Sequence, residues 1–133
     1  MSDGVEKTVF YFEKKGVVNT EKTLEIALSR AKEAKIGKIV VASSTGETAL
    51  KLHQMAENSV KVIAVTYNAG SRFQTQVEQF NRNHETLVQK GILVVRGLHA
   101  FSGVEKGFSE HYKTNFLPLN IVADTLRMFS QGV

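Results

Sequence analysis

The sequence contains no cysteine and no tryptophan, and it has a single proline. The lack of cysteine excludes disulfides, thiolate metal sites and a cysteine nucleophile, and it fits a reducing compartment, so we expect a cytoplasmic protein. Long hydrophobic runs are also missing, because the longest, such as those at 39–42 and 92–95, are far too short to span a bilayer. Residues 1–7 lack the apolar centre of a signal peptide. The sequence therefore predicts no membrane contact.

The length and charge are those of an ordinary globular domain. The chain has 133 residues, of which 42% are hydrophobic and 23% charged, so we expect one domain over residues 1–133. The net charge is +4, but the positive residues are dispersed and only Lys14 and Lys15 are adjacent. Because a nucleic-acid-binding surface needs clustered positive charge, we expect no nucleic-acid partner.

Strand and helix patterns alternate along the chain, which is typical of a parallel sheet with crossover helices. Four strands are predicted, at 8–12, 38–42, 60–66 and 92–95. Helices are predicted between them, the first capped by Asn19 or Thr20, and Gly37 and Gly91 are expected to stop two of these helices. Beyond the fourth strand, the sequence indicates a loop, a short helix near 104–112, and a last helix that starts at Pro118.

The loop after the second predicted strand carries the strongest functional signal. Its residues are Ser43, Ser44, Thr45, Gly46, Glu47 and Thr48. A helix is predicted to start here, and the free N–H groups at a helix start attract anions. The hydroxyl groups add hydrogen-bond donors, and Gly46 lets the backbone come close to a bound group. The loop is therefore a candidate phosphate site.

A simpler interpretation of the same loop is that Ser44 or Thr45 only caps the helix, with Glu47 favourable in its first turn. In that case the protein is an interaction or regulatory module without a small-molecule ligand.

If the loop does bind a ligand, Glu47 would repel a second phosphate, which favours a ligand with a single phosphate. The Gly-Lys-Ser/Thr pattern of a nucleotide triphosphate loop is missing.

The loop after the fourth predicted strand offers the only catalytic candidates. His99 could act as acid or base near neutral pH, and Arg96 could clamp an anion. His99 and Ser102 lack an orienting third residue and a Gly-x-Ser-x-Gly turn, which argues against serine hydrolysis. The histidines have no close mutual spacing, so no metal site is predicted. An enzyme that uses His99 and Arg96 remains an alternative to a binding domain.

Residues 38–49, KIVVASSTGETA, followed by 60–66, VKVIAVT, resemble the C-terminal α/β domain of pyruvate kinase. Small stand-alone archaeal and bacterial proteins with this fold, of unknown function, are more similar. The resemblance to them lies at the following positions: Asn19-Thr20, the loop from Val41 to Ala49, Val65-Thr66-Tyr67, and His99 to Glu105.

The resemblance implies a three-layer α/β/α sandwich with strand order 3-2-1-4(-5) and a crevice where that order reverses. It implies that the crevice is lined by Asn19, the 43–48 loop, Thr66, Tyr67, His99, Ser102 and Gly103. It also suggests a phosphorylated ligand, either a sugar phosphate or flavin mononucleotide (FMN). The barrel that performs pyruvate kinase chemistry is not part of this sequence, so we do not expect pyruvate kinase activity.

Longer members of this family continue into further strands after the last helix. The chain ends at Val133, so we expect it to lack those C-terminal strands. A sheet edge left open in this way is commonly covered by a second subunit. We therefore expect a homo-oligomer.

Overall fold

The computed structural model describes residue 4 and residues 6–67, 74–97 and 101–128, and the structural statements below concern these residues. A short 3-10 turn, Val17–Asn19, leads into α1 (Thr20–Glu33). The order then runs β1 (Lys38–Ala42), α2 (Glu47–Ala56), β2 (Lys61–Tyr67), α3 (Gln74–Gln89), β3 (Leu93–Gly97), α4 (Ser102–Tyr112) and α5 (Leu117–Arg127). The α/β fold class and the parallel sheet are thereby confirmed.

The sheet has three strands in the order β1-β2-β3, fewer than the sequence predicts. Residues 8–12 are not a strand, although they have the composition of one. Val9 is 67% exposed and Tyr11 86%, and the rings of Phe10 and Phe12 contact each other rather than a neighbouring strand. The reason is that β-propensity reflects packing on a sheet, and this segment has no partner among the described strands.

The predicted strand order is wrong when residues 8–12 are counted as the first strand, because β3 pairs directly with β2. If the strands are instead numbered from β1, their order starting at β3 is 3-2-1, which agrees with the first three positions of the expected order. The strand order runs in one direction across the described sheet. The reversal that was expected to form a crevice is therefore not among these strands.

One face of the sheet carries the core. Helices α1, α2 and α3 supply Leu24, Leu52, Phe80 and Leu87, which pack on Val62, Ala64 and Ile92. Buried and half-buried side chains alternate along β2, because successive side chains of a strand point to opposite faces of the sheet. The side chains on the other face of the sheet are half-buried or exposed. Helices α4 and α5 pack on each other, and Ala123 of α5 is buried.

Of the two predicted helix stops, the one at Gly91 is confirmed and the one at Gly37 is wrong. Gly91 has φ 73°, and the N–H of Ile92 bonds to the carbonyl of Leu87, so a left-handed residue ends α3 as expected. At the end of α1, however, the left-handed residue is Lys35, with φ 54°, rather than Gly37. The carbonyl of Gly37 instead accepts a bond from the N–H of Lys61, which starts the ladder between β1 and β2.

The start of α1 is tied to α2 by an ion pair between Lys51 Nζ and Glu21 Oε2, 2.8 Å apart. The hydrogen bond from Lys51, followed by its positive charge, lowers the pKa of Glu21 below the ordinary value of 4.5. A lowered pKa means that the contribution to stability is present above pH 4.5 and is lost as the pH falls through the lower, folded-state pKa. Because the pair is exposed, this contribution is small.

We expect Lys51→Ala to return the pKa of Glu21 to about 4.5, since both causes of the shift are removed. The measurement is an NMR titration of the Glu21 carboxyl carbon. Lys22→Ala is the matched control, because Lys22 pairs with Glu25 and should leave the pKa of Glu21 low. An unchanged Glu21 pKa in Lys51→Ala would contradict the ion pair.

Candidate functional site

Helix α2 begins without a side-chain cap. Its N-cap residue is Gly46, in the left-handed conformation with φ 88°, rather than Ser44 or Thr45. The N–H of Glu47 reaches Thr45 Oγ1 at 3.5 Å and the N–H of Ala49 reaches Ser43 Oγ at 3.4 Å, both at the long limit of a hydrogen bond. The N–H of Thr48 has no acceptor among the described residues. Three successive donors at this helix start are thus weakly bonded or free.

Helix α3 holds the loop in place from the side. Asn83 Nδ2 donates to the carbonyl of Thr45 at 2.8 Å, and Gln79 Nε2 donates to Glu47 Oε1 at 2.7 Å. Gln79 and Asn83 are four residues apart, so they lie on the same side of the helix. The Glu47 carboxylate is therefore fixed beside α3.

Gly46 is buried against α3, where a Cβ atom would lie 3.0 Å from Leu87 Cδ1 and 3.3 Å from Asn83 Cβ. The sequence suggested that this glycine makes room for a ligand. The structure shows a further reason for a glycine, because the space that a Cβ atom would take is filled by α3. Gly46 is therefore needed for its positive φ and for close helix packing.

The ends of the three strands bring further predicted residues to this edge of the sheet. Thr66 is adjacent to Arg96 across β2 and β3, and Tyr67 to Gly97. Thr66 is 7% exposed, and its hydroxyl donates to the carbonyl of Ser44 at 3.4 Å. Thr66 therefore supports the loop from below, and the half-buried Tyr67 ends the same strand.

Arg96 lies against α3. Its guanidinium donates to Asn81 Oδ1 at 2.6 Å and lies 5.3 Å from the centre of the Phe80 ring. Phe80 also lies 3.7 Å from the position that a Cβ atom on Gly46 would take, so its ring contacts both Arg96 and the loop. Both interactions hold the guanidinium against α3.

The other predicted site residues fall into two groups. Asn19 precedes α1, and its side chain donates to the carbonyl of Lys14. The ion pair of Glu21 with Lys51 brings this helix start beside α2. In the second group, Ser102 and Gly103 begin α4, and His99 lies outside the described residues.

Two clefts in the described part of the chain lie toward the C-terminal end of α2. One of 340 Å³ is lined by His53, Thr86 and Lys90 among others, and one of 440 Å³ lies between α1 and the end of α2. Neither is lined by a residue of the 43–48 loop. Residues 68–73 and 98–100, which follow β2 and β3 at the loop's edge of the sheet, lie outside the described residues. In the described ranges no group of three acidic or histidine side chains could hold a metal ion.

The contacts of α3 with the loop and with Arg96 come from three residues that the sequence did not single out: Gln79, Asn81 and Asn83. All three have amide side chains and flank the buried Phe80, with Gln79 and Asn83 on one side of it and Asn81 on the other. That spacing was visible, but a polar helix face is usually solvated, so the sequence alone gave no reason to select it.

These features define a class of protein: a parallel α/β domain in which a crossover helix, α2, begins at the carboxyl end of a strand. No helix in the described part of the chain is long and apolar enough to cross a membrane. The family described as "Pyruvate kinase, alpha/beta domain" matches residues 21–128. The chain belongs to this family.

Proposed function

We propose that this domain binds a small molecule with a single phosphate group at the start of α2. The observation that carries the proposal is the set of weakly bonded or free N–H groups at Glu47, Thr48 and Ala49. A helix start with unsatisfied donors carries partial positive charge, and phosphate oxygens are suited to accept from several N–H groups at once.

The hydroxyl groups divide into two roles. Ser43 and Thr66 are buried and bond within the loop, so they fix its shape. Ser44 is exposed and Thr48 half-buried, and both are available to donate to a ligand oxygen. This division supports a rigid backbone cradle with a few added donors.

The position of Glu47 supports a ligand of low charge. Its hydrogen bond to Gln79 keeps the carboxylate beside α3, but it remains in the first turn of the helix. A second phosphate at the same place would meet this negative charge. A monophosphate is therefore favoured over a bisphosphate.

FMN and a sugar monophosphate both meet this requirement. The α2 start could hold the phosphate of either, and Tyr67 at the end of β2 is an aromatic candidate for contact with a flavin ring. The flavin would supply redox chemistry where it is bound. The described residues provide no set of acid and base groups for a reaction, so the proposal is limited to binding.

Two substitutions should change phosphate affinity in opposite directions. Glu47→Gln removes a negative charge at the helix start and should strengthen binding by about 2–5-fold, as expected for about 0.3–1 kcal/mol. Thr45→Asp supplies a competing carboxylate and should weaken binding by a similar factor. The measurement is an NMR titration with inorganic phosphate, FMN and glucose 6-phosphate, following the Thr48 amide.

Thr45→Asn is the neutral control for Thr45→Asp, and Glu33→Gln at the end of α1 is the charge control for Glu47→Gln. A ligand present at 100 times its dissociation constant should also stabilise the protein by about 2.7 kcal/mol in a thermal-shift assay. If none of the three compounds moves the Thr48 amide or the melting temperature, the proposal is wrong and the loop only starts a helix.

A further inference from the structure

The carboxylate of Glu47 is held by a neutral partner on another helix. Gln79 Nε2 donates to Glu47 Oε1 at 2.7 Å, which joins the first residue of α2 to the second turn of α3. A carboxylate only accepts hydrogen bonds, so the amide must present its nitrogen. The ion pairs among the described residues do not include Glu47. Its negative charge is therefore fixed in position but not neutralised.

The start of α2 offers this carboxylate a second place. An acidic side chain in the first turn of a helix is attracted by the free N–H groups of that turn. In α2 the N–H of Thr48 has no acceptor among the described residues, and that of Ala49 has only a 3.4 Å bond to Ser43 Oγ. A Glu47 carboxylate released from Gln79 would be drawn to these donors, which are the donors that a phosphate is proposed to use.

Two amides of α3 hold different parts of the loop. Asn83 Nδ2 donates to the backbone carbonyl of Thr45 at 2.8 Å, whereas Gln79 bonds only to the Glu47 side chain. Both amide side chains are half-buried, which restricts their rotamers. Asn83 therefore supports the loop backbone, and Gln79 controls where one negative charge lies. The two roles can be separated by substitution.

We propose that Gln79 is a positioning residue that keeps the Glu47 carboxylate away from the start of α2. When it is released, Glu47 binds the free N–H groups there and competes with an external anion. The effect on phosphate binding rests on the proposed function, whereas the position of the carboxylate does not depend on a ligand. Either position provides N–H donors for the carboxylate, so loss of the Gln79 amide is sufficient to change its place.

The first test uses the protein without a ligand. Gln79→Met keeps the length of the side chain but removes its N–H donors. Exchange of the Thr48 amide with water, measured by NMR, should become about 2–10-fold slower, because the Glu47 carboxylate now accepts from it. Loss of a purely structural contact would loosen the loop and would not slow this exchange. Unchanged or faster exchange in Gln79→Met would overturn the proposal.

Two further variants assign the slower exchange to Glu47. Gln76→Met, about one turn earlier on α3, is the matched control and should leave the exchange of the Thr48 amide unchanged. Glu47→Ala removes the acceptor, so the slower exchange should disappear in the Gln79→Met, Glu47→Ala double variant. Slower exchange that persists in the double variant would mean that Glu47 is not the acceptor, and the proposal would be wrong.

The second test is a double-mutant cycle on the affinity for inorganic phosphate. Gln79→Met should weaken phosphate binding by about 2–10-fold in the wild-type background and by less than about 1.5-fold in the Glu47→Ala background. Asn83→Ala is the contrasting variant, because it removes support from the loop backbone and should weaken binding in both backgrounds. Equal weakening by Gln79→Met in both backgrounds would contradict a role that acts through Glu47.

The two tests distinguish this positioning role from the phosphate site itself. If no variant binds phosphate but exchange of the Thr48 amide slows in Gln79→Met, the proposed function is wrong and the role of Gln79 stands. If phosphate binds to the wild type but exchange does not slow in Gln79→Met, the role of Gln79 is wrong and the phosphate site stands.

Discussion

Phe80→Ala should lower the free energy of unfolding by about 3–5 kcal/mol, a large share of the stability of a domain this size. Phe80 is 1% exposed and is among the largest fully buried side chains. It packs in the core between α3 and the sheet, contacts the Gly46 position and supports the Arg96 guanidinium. Its removal leaves a cavity that this surrounding structure can fill only in part. The measurement is urea unfolding followed by circular dichroism.

The control for Phe80 is Val88→Ala on the same helix. Val88 is 54% exposed, so its truncation should change stability by no more than about 0.5 kcal/mol. A loss below about 1 kcal/mol in Phe80→Ala would mean that Phe80 does not occupy the core position described. Phosphate binding should weaken in Phe80→Ala as well, because the loop loses its support on α3.

Gly46→Ala should destabilise the protein by about 2–5 kcal/mol. The left-handed conformation, with φ 88°, costs an ordinary residue about 1–2 kcal/mol. The new Cβ would also lie 3.0 Å from Leu87 Cδ1, and overpacking of this kind costs about 1–3 kcal/mol. The measurement is again urea unfolding, with the slope compared with that of the wild type.

The two causes can be separated with Leu87→Val, which removes the Cδ1 atom. Gly46→Ala should cost about 1 kcal/mol less in that background, because the closest contact is gone while the backbone strain and the contact with Asn83 Cβ remain. Gly107→Ala is the matched control, since a Cβ there meets nothing within 4 Å and the residue is helical. It should stabilise the protein by about 0.5–1 kcal/mol. Equal costs of Gly46→Ala in both backgrounds would show that Leu87 is not the obstacle.

Local patterns predicted most of the elements correctly. The apolar strands at β1, β2 and β3, the helices between them and the stop at Gly91 were all predictable, because their residues have matching periodicity and turn chemistry. Residues 8–12 show the limit of this reasoning. Their composition is that of a strand, yet a strand also needs a neighbour to bond to, which composition does not reveal.

The sequence predicted where the 43–48 loop lies in the fold, but not which residues hold it. The sequence identified the 43–48 loop because hydroxyl groups and a glycine follow a buried strand. It could not show that Gly46 packs on Leu87, or that Asn83 and Gln79 hold Thr45 and Glu47. These partners are more than thirty residues apart in the sequence, so only the packing of α3 beside α2 brings them together.

The sequence by itself determined the parallel α/β class and the presence of a helix start rich in donors after β1. Both follow from local chemistry: apolar runs form buried strands, and a glycine among hydroxyl residues marks a turn into a helix. The tertiary structure alone decided which of the described strands are paired and where the Glu47 charge is held. Those properties depend on contacts between distant segments, which the order of residues along the chain does not specify.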